Sequence, residues 1–502
     1  MKRVLLVLAA LSLAFGGSAL AQTITVGQAS DPVTLDPHGQ NDQPSARVRV
    51  QIYDTLVVQS EDLELVPGLA ESWEQVDDTT YEFVIREGVS FHNGDPLTAA
   101  DVVYSLNRLR DPETAAPAAF LVDAIESVEA TSDMVVRITT EFPFAPILSH
   151  LAHGATAILS ERAVTEAGDD YGTTVAVGTG PFRFVNWATA SQLVLERNPD
   201  WWGGEVLPER VVFRPITEGT VRAIELETGG VDIAYTLEAT DANRLRGGEN
   251  PNVRLESVET LTTSYIGFNV QKEPFDDVRV RQAINHAIDV ELIAEVVYTG
   301  QATRATSPTP QRVFGSNPNL EPFEYNPERA RELLAEAGYE NGFSTTLWTN
   351  DNPLRIQIAE IVQAELGELD ISVDVQVLEW GAYLSDTAAG LHDMFILGWV
   401  TVTGDADYGL YSLFHSSQQG NPGNRTFFAD DRVDELLDRG RTSLDEEERL
   451  AAYYEAQEII QEEAPWVFLI FTTEDNGVRA DIQGFVPHPA GHHRLYNVSR
   501  TQ

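Results

Sequence analysis

The chain has 502 residues and no cysteine. That absence excludes disulfides and any thiolate-ligated metal. It also excludes the lipid anchor of bacterial lipoproteins, which is carried by a cysteine at the cleavage site. Positive charge is scarce: 33 Lys and Arg stand against 78 Asp and Glu, a net charge of −45. Such a balance disfavours nucleic acid and anionic membrane surfaces as partners, and it favours a soluble monomer. The acids are dispersed rather than blocked, so they identify no substrate. Past the N-terminus, no apolar run approaches the ~20 residues of a membrane span. Catalytic signatures are missing too. There is no G-x-S-x-G elbow, no H-E-x-x-H and no P-loop. Gly178-Thr179-Gly180 lacks the third glycine of a dinucleotide fingerprint and reads as a turn. Neither an enzyme nor a cofactor is implied.

What is present begins with an export signal. Lys2 and Arg3 precede the apolar run Val4 to Phe15, and Ala19-Leu20-Ala21 forms an A-x-A cleavage site. The mature protein is expected to begin at Gln22, two positive charges poorer. A secreted, unanchored chain fits the periplasm of a diderm bacterium; release into the medium is the alternative. With 43% hydrophobic residues and a mean hydropathy of −0.18, the chain can bury a real core. Its length calls for two or three lobes.

Along the chain, Thr23 to Ala29 and Thr80 to Arg86 alternate as strands do. Thr98 and Asp101 form a short-armed capping box for a helix through Leu109. Asn326-Pro327 and Asn352-Pro353 open two further helices, and Gly338 closes the first. Strands at Thr345 to Trp348, Ile371 to Leu378 and Asp393 to Trp399 alternate with helices, which predicts βαβ units and a largely parallel sheet. The last long helix runs from Leu444 to Glu463, and Trp466 to Phe471 reads as a buried strand. Gly398 to Phe414 (GWVTVTGDADYGLYSLF) then lies at a strand's carboxyl end, where ligands bind in open α/β sheets.

Several ordered motifs carry a family resemblance. They are Leu65 to Trp73 (LVPGLAESW), Phe83 to Ser105, Val177 to Phe182 (VGTGPF), Asn198 to Trp202 (NPDWW), and Phe268-Asn269 with Pro274 to Ile284. In this order they resemble the extracytoplasmic solute-binding proteins of the peptide/nickel class, family 5, that feed ABC importers. The resemblance covers essentially all of the mature chain. It implies an α/β, two-lobe periplasmic-binding-protein type II fold with an extra inserted subdomain. After a signal at 1–21, lobe Ia would comprise 22–50, 166–267 and 474–502, the insert Ib 51–165, and lobe II 268–473. Chain crossings near Tyr265-Asn269 and Thr472-Gly477 would form a hinge. The implied partners are a small or short-peptide ligand and an inner-membrane permease with its ATPase.

The resemblance also places the cleft. It implies contacts from Asn41, Asp42 and Gln43, from Thr262, Thr263, Ser264 and Tyr265, and from Trp399, Thr401, Val402, Thr403 and Asp405. Dipeptide and oligopeptide binders carry an Asp three residues after the Trp of this loop, where it pairs with the peptide ammonium. Here that position is Val402. A buried ammonium without a counter-charge costs several kcal/mol. Either Asp405 or Asp407 replaces the missing Asp, or the ligand presents no ammonium there; turn formation and helix capping are the competing roles of both acids. Arg355 is the nearest counterpart of an Arg that some dipeptide binders use for the ligand carboxylate, against a plain exposed first-turn role. The GDADYGL form of the loop is similar to the glutathione-binding branch. A short peptide or peptide-like solute is therefore the expected ligand. The alternative is an oligosaccharide stacked on Trp348, Trp380 or Trp399, and an extracytoplasmic hydrolase is the rival class. His488, His492 and His493 have spacing that could ligate a metal; a structural role in the first lobe is the favoured reading, and no metal is assigned.

Overall fold

The structure is a computed structural model describing residues 22–248, 250–420 and 423–501. The export signal expected at 1–21 lies outside the described residues. No described helix is long and apolar enough to cross a membrane.

One eleven-stranded sheet runs through both lobes. Two long strands at its middle, Val253–Phe268 and Trp466–Arg479, pair antiparallel along almost their whole length. On one side of them lie Met394–Val400, Ser344–Asn350 and Ser372–Leu378. These three are mutually parallel, joined by the crossover helices Pro353–Gly367 and Trp380–Ala388. On the other side Ile233–Ala234, Thr23–Gln28 and Arg210–Pro215 are parallel to one another, and Gln192–Arg197 and Phe182–Ala188 close the edge antiparallel. The expected parallel βαβ arrangement is thus present in the second lobe, inside a mixed sheet.

Register shifts twice near the crossing between the lobes, the second time between Ser264 and Tyr265, where Leu469 is the extra residue. At the first, Glu259 pairs with Thr473, but Thr263 pairs with Phe471, so one strand carries two extra residues there. Thr260 fills the gap, its hydroxyl meeting the Thr472 carbonyl at 3.1 Å and its Oγ1 at 2.7 Å. This bulge precedes the crossing expected at Tyr265-Asn269. Extra residues of this kind bend a strand locally.

The inserted subdomain has its own antiparallel sheet of four strands, Ala70–Asp77, Thr80–Ile85, Val135–Thr140 and Ile125–Ser132. Tyr81, Phe83 and Ile85 alternate inward and pack with Val102, Leu106 and Leu109 of helix Ala99–Arg110. Each such side chain contributes about 1.5–3 kcal/mol on burial. The capping box at Thr98 and Asp101 is formed, with Thr98 N donating to Asp101 Oδ2 at 2.9 Å. Asn326 and Asn352 cap helices Pro327–Ala337 and Pro353–Gly367, and Gly338 ends the former at φ 89°. The chain tail returns to the first lobe, where Phe485, Leu495 and Val498 join the core of Ile24 and Val26.

The VGTGPF turn presses directly on the end of helix Gln43–Ile52. Gly180 N donates to the Ile52 carbonyl at 2.9 Å. A Cβ on Gly178 would lie 2.1 Å from the same oxygen, and one on Gly180 would lie 2.7 Å from it. Both glycines are needed for this close approach. Gly178→Ala should therefore destabilise by about 2 kcal/mol or more in urea unfolding. Gly367→Ala, at a helix end with nothing within 4 Å of its Cβ, should stay within about 0.5 kcal/mol of wild type or gain slightly. Equal effects would remove the close-approach explanation.

Candidate ligand-binding site

Helix Gln43–Ile52 builds the first wall. Asp42 caps it, with Oδ1 accepting from Ser45 N at 3.0 Å. Asp42, Ala46, Arg49, Val50 and Tyr53 recur at three-and-four spacing and so share one face. That face lines a cavity of about 230 Å3. Arg49 is 5% exposed, its Nη1 donating to the carbonyls of Asp36 at 3.1 Å and Gln40 at 2.7 Å.

Asp54 stands behind the helix end. Its Oδ2 accepts from Thr179 Oγ1 at 2.9 Å and Trp202 Nε1 at 2.8 Å, so the VGTGPF turn and the NPDWW motif both converge on it. Burial pushes its carboxyl up, partly offset by the Trp202 hydrogen bond, the charge of Arg494 and the Thr179 hydrogen bond. The inserted subdomain adds His153, whose Nδ1 accepts from Ala155 N at 3.0 Å. The tail adds His488, His492 and Arg494. Burial pushes the imidazoles of His153 and His488 down to about 3, so both are neutral at pH 7.

The second lobe closes the cavity with Gly398, Trp399, Val400, Val402 and Tyr408. This wall carries no charge. The lobes meet along a seam beside it. Gln59 Nε2 donates to the Thr403 carbonyl at 2.7 Å, and Asn41 Nδ2 to Tyr408 Oη at 3.4 Å. Ala145 N donates to the Arg441 carbonyl at 2.9 Å. His150 Nε2 lies 3.4 Å from Asp407, within ion-pair range but not aligned as a hydrogen bond. The ring of Tyr408 packs between Phe120 at 5.5 Å and Trp399 at 5.4 Å.

Of the residues expected from the sequence, Asn41, Asp42, Gln43, Trp399 and Val402 converge on this cavity. Gln43 also reaches the Ala490 carbonyl at 2.7 Å. Thr262, Thr263, Ser264 and Tyr265 do not line it. They sit in the middle of the sheet, paired with Val400, Trp399, Gly398 and Leu397, and Tyr265 stacks on Trp466 at 3.4 Å. Thr401 is buried and donates its N–H to the Leu261 carbonyl, while Thr403 offers only its carbonyl to Gln59. Arg355 lies beyond Gly398, bonded to Asn350 Oδ1 at 3.0 Å and 5.8 Å from the Trp380 ring.

Asp405 and Asp407, considered above as replacement ammonium anchors, are instead occupied within the second lobe. Asp405 caps helix Ala406–Phe414 and takes both its oxygens to Arg449 Nη2, at 2.9 and 2.7 Å. Asp407, 1% exposed, is bonded by Arg441 at 3.1 and 3.2 Å. The sequence reading missed Arg49, Tyr53, Asp54, His153, Tyr408 and Arg494. The histidine-rich tail was the one available signal. His493 accepts from His488 N and meets Glu474 at 2.9 Å, while His492 faces the cavity. Among the described residues no group of three or more His, Asp or Glu is placed to hold a metal.

A model of the bacterial extracellular solute-binding proteins, family 5 Middle, matches residues 64–421. The glutathione-binding protein GsiB of Pectobacterium atrosepticum is 33% identical over 458 residues, 89% of this chain and 88% of that one. Among solved structures, the periplasmic binding protein DppA of Helicobacter pylori in complex with the peptide STSA has a TM-score of 0.85 at 31% identity, covering 96% of this chain and 98% of that one. A Pseudoalteromonas dipeptide-binding protein in complex with Met-Leu has a TM-score of 0.86 at 25% identity, covering 96% and 100%.

The seam acid Asp407 gives a pH signature. Burial alone would raise its carboxyl, but the charge of Arg441 and the contact with His150 outweigh burial and hold it at about 2. A carboxylate lowered on folding contributes stability that is present above its unfolded value, about 3.9, and lost as pH falls through its folded one. The full contribution is roughly 2–3 kcal/mol. The stability difference between wild type and Asp407→Asn in urea should shrink by about 1 kcal/mol between pH 5 and pH 3. A difference that is constant over that range would mean the pair has no such linkage.

Proposed function

Since the chain belongs to the bacterial extracellular solute-binding proteins of family 5, we propose that it captures a short peptide or peptide-like solute between its lobes and delivers it to an ABC permease and ATPase from the periplasm. The observation that carries this reading is the cavity walled by both lobes and the inserted subdomain. Ligand enters while the lobes are apart, and hinge motion at the Thr260 bulge closes Trp399 and Tyr408 over it. Closure presents a surface that spans both lobes, and only that surface reports a loaded protein to the importer.

Size selects within the peptide class. About 230 Å3 lies below the 300–1,000 Å3 common for drug-sized ligands, which suits two or three residues better than a long peptide. The names of its relatives agree, since GsiB is a glutathione-binding protein and the Pseudoalteromonas protein holds Met-Leu. Nothing in the cavity pairs a nucleophile with a base, and family members are binding proteins.

Calorimetry on the mature protein, stripped of bound solute by unfolding and refolding, tests the proposal. Glutathione or a tripeptide should bind with micromolar or tighter affinity, and a nonapeptide at least a hundredfold more weakly. Saturable binding of an oligosaccharide with no heat from any short peptide would overturn it, as would product release from the peptide.

A further inference from the structure

The charges around the cavity are divided unevenly between its walls. The second lobe contributes none, because Asp405 and Asp407 are held by Arg449 and Arg441. The first lobe contributes several that make no ion pair with a described residue, although Asp54 faces Arg494 and Asp42 faces Arg49 at longer range. Arg494 lines the cavity and makes no hydrogen bond or ion pair with any described residue. Arg49 is buried with carbonyl partners, and no carboxylate of the described residues stands within ion-pair distance of it. Asp42 uses Oδ1 for the helix cap, while its Oδ2 is buried without a partner among the described residues. Asp54 also lines the cavity, but Thr179 and Trp202 already satisfy its Oδ2.

A buried guanidinium or carboxylate with no opposite charge costs several kcal/mol. In a protein carrying 78 acids against 33 bases, two cavity-facing arginines without an ion-paired carboxylate are not explained by a shortage of acids. We infer that the first lobe is built to hold a peptide with two carboxylates and one ammonium, Arg49 and Arg494 taking the carboxylates and Asp42 the ammonium. This rests on the short-peptide reading above. It places the ammonium contact on the lobe opposite Val402. Trp399 Nε1, buried without a partner among the described residues, supplies a donor from the closing wall.

Spacing agrees with that class. Asp42 and Arg49 are seven positions apart on one helix face, which at 1.5 Å per residue separates their backbones by about 10 Å. An extended chain of three residues spans roughly the same length. A guanidinium grips a carboxylate with two parallel hydrogen bonds, so the arginines also fix orientation. Because all three groups lie on one lobe, ligand is anchored before closure.

Four probes test this by calorimetry: glutathione, its glycine monoethyl ester, N-acetylglutathione and trialanine. Wild type should prefer glutathione over the ester and over trialanine by at least tenfold. Arg494→Gln should weaken glutathione at least tenfold while changing trialanine by no more than about threefold. Asp42→Asn keeps a good helix cap and should erase the preference for glutathione over its N-acetyl form. Since Arg494 makes no hydrogen bond or ion pair with a described residue and meets Asp54 only at longer range, Arg494→Gln without ligand should melt within a degree or two of wild type. Equal affinity of wild type for glutathione and trialanine would sink this inference and leave the short-peptide reading standing. Equal loss of all probes in Arg494→Gln, or a large fall in its ligand-free melting temperature, would also sink it. No binding of any of the four to wild type would remove both readings.

Discussion

Everything in this molecule hangs on the antiparallel pairing of Val253–Phe268 with Trp466–Arg479. Each strand belongs to the sheet of one lobe at one end and of the other lobe at the other end. A ladder of backbone hydrogen bonds is stiff along its length, so bending is confined to where the ladder is interrupted. The two surplus residues around Thr260 are the larger interruption, and the single extra residue at Leu469 is a second one. The side chains flanking them are buried in continuous sheet, which is why Thr263, Ser264 and Tyr265 serve the framework and not the cavity.

The second constraint is electrostatic. Carboxylates are abundant and arginines are few, so the position of each arginine is informative. In the second lobe Arg441 and Arg449 neutralise the two acids of the GDADYGL loop and fix helix Ala406–Phe414. The loop therefore offers the cavity aromatic and aliphatic surface. In the first lobe Arg47 is matched by Glu474 and Arg108 by Asp36, while the neighbouring Arg49 is left with carbonyls.

Local features were legible in the sequence because their physics is local. Caps at Thr98, Asn326 and Asn352 involve partners two or three residues away. The alternation in Thr80–Ile85 and the helix–strand sequence of the second lobe follow from periodicity alone. The family resemblance added the two-lobe fold, and it located Asn41 to Gln43 and the Trp399 loop. The roles of Asp405 and Asp407 were not legible, since Arg449 and Arg441 lie 44 and 34 residues further on. Arg494 was less accessible still: the histidines beside it marked the tail, but its neighbours in space, Asp54 and the helix carrying Arg49, come from the opposite end of the sequence. The histidine cluster was visible but ambiguous. Spacing alone did not separate a metal site from His493 tying the tail to Glu474.

The seam between the lobes has a kinetic meaning. Ala145 on Arg441 and His150 beside Asp407 join protein to protein away from the cavity, while Gln59 on Thr403 and Asn41 on Tyr408 do so at its lining. The two contacts away from the cavity act alike on whatever is enclosed, and contacts of this kind act mainly on the off-rate. The closed protein thus behaves as a clock as well as a receptor. Under the function proposed above, part of its dwell time is written in the seam, and opening those contacts shortens it whatever the cargo.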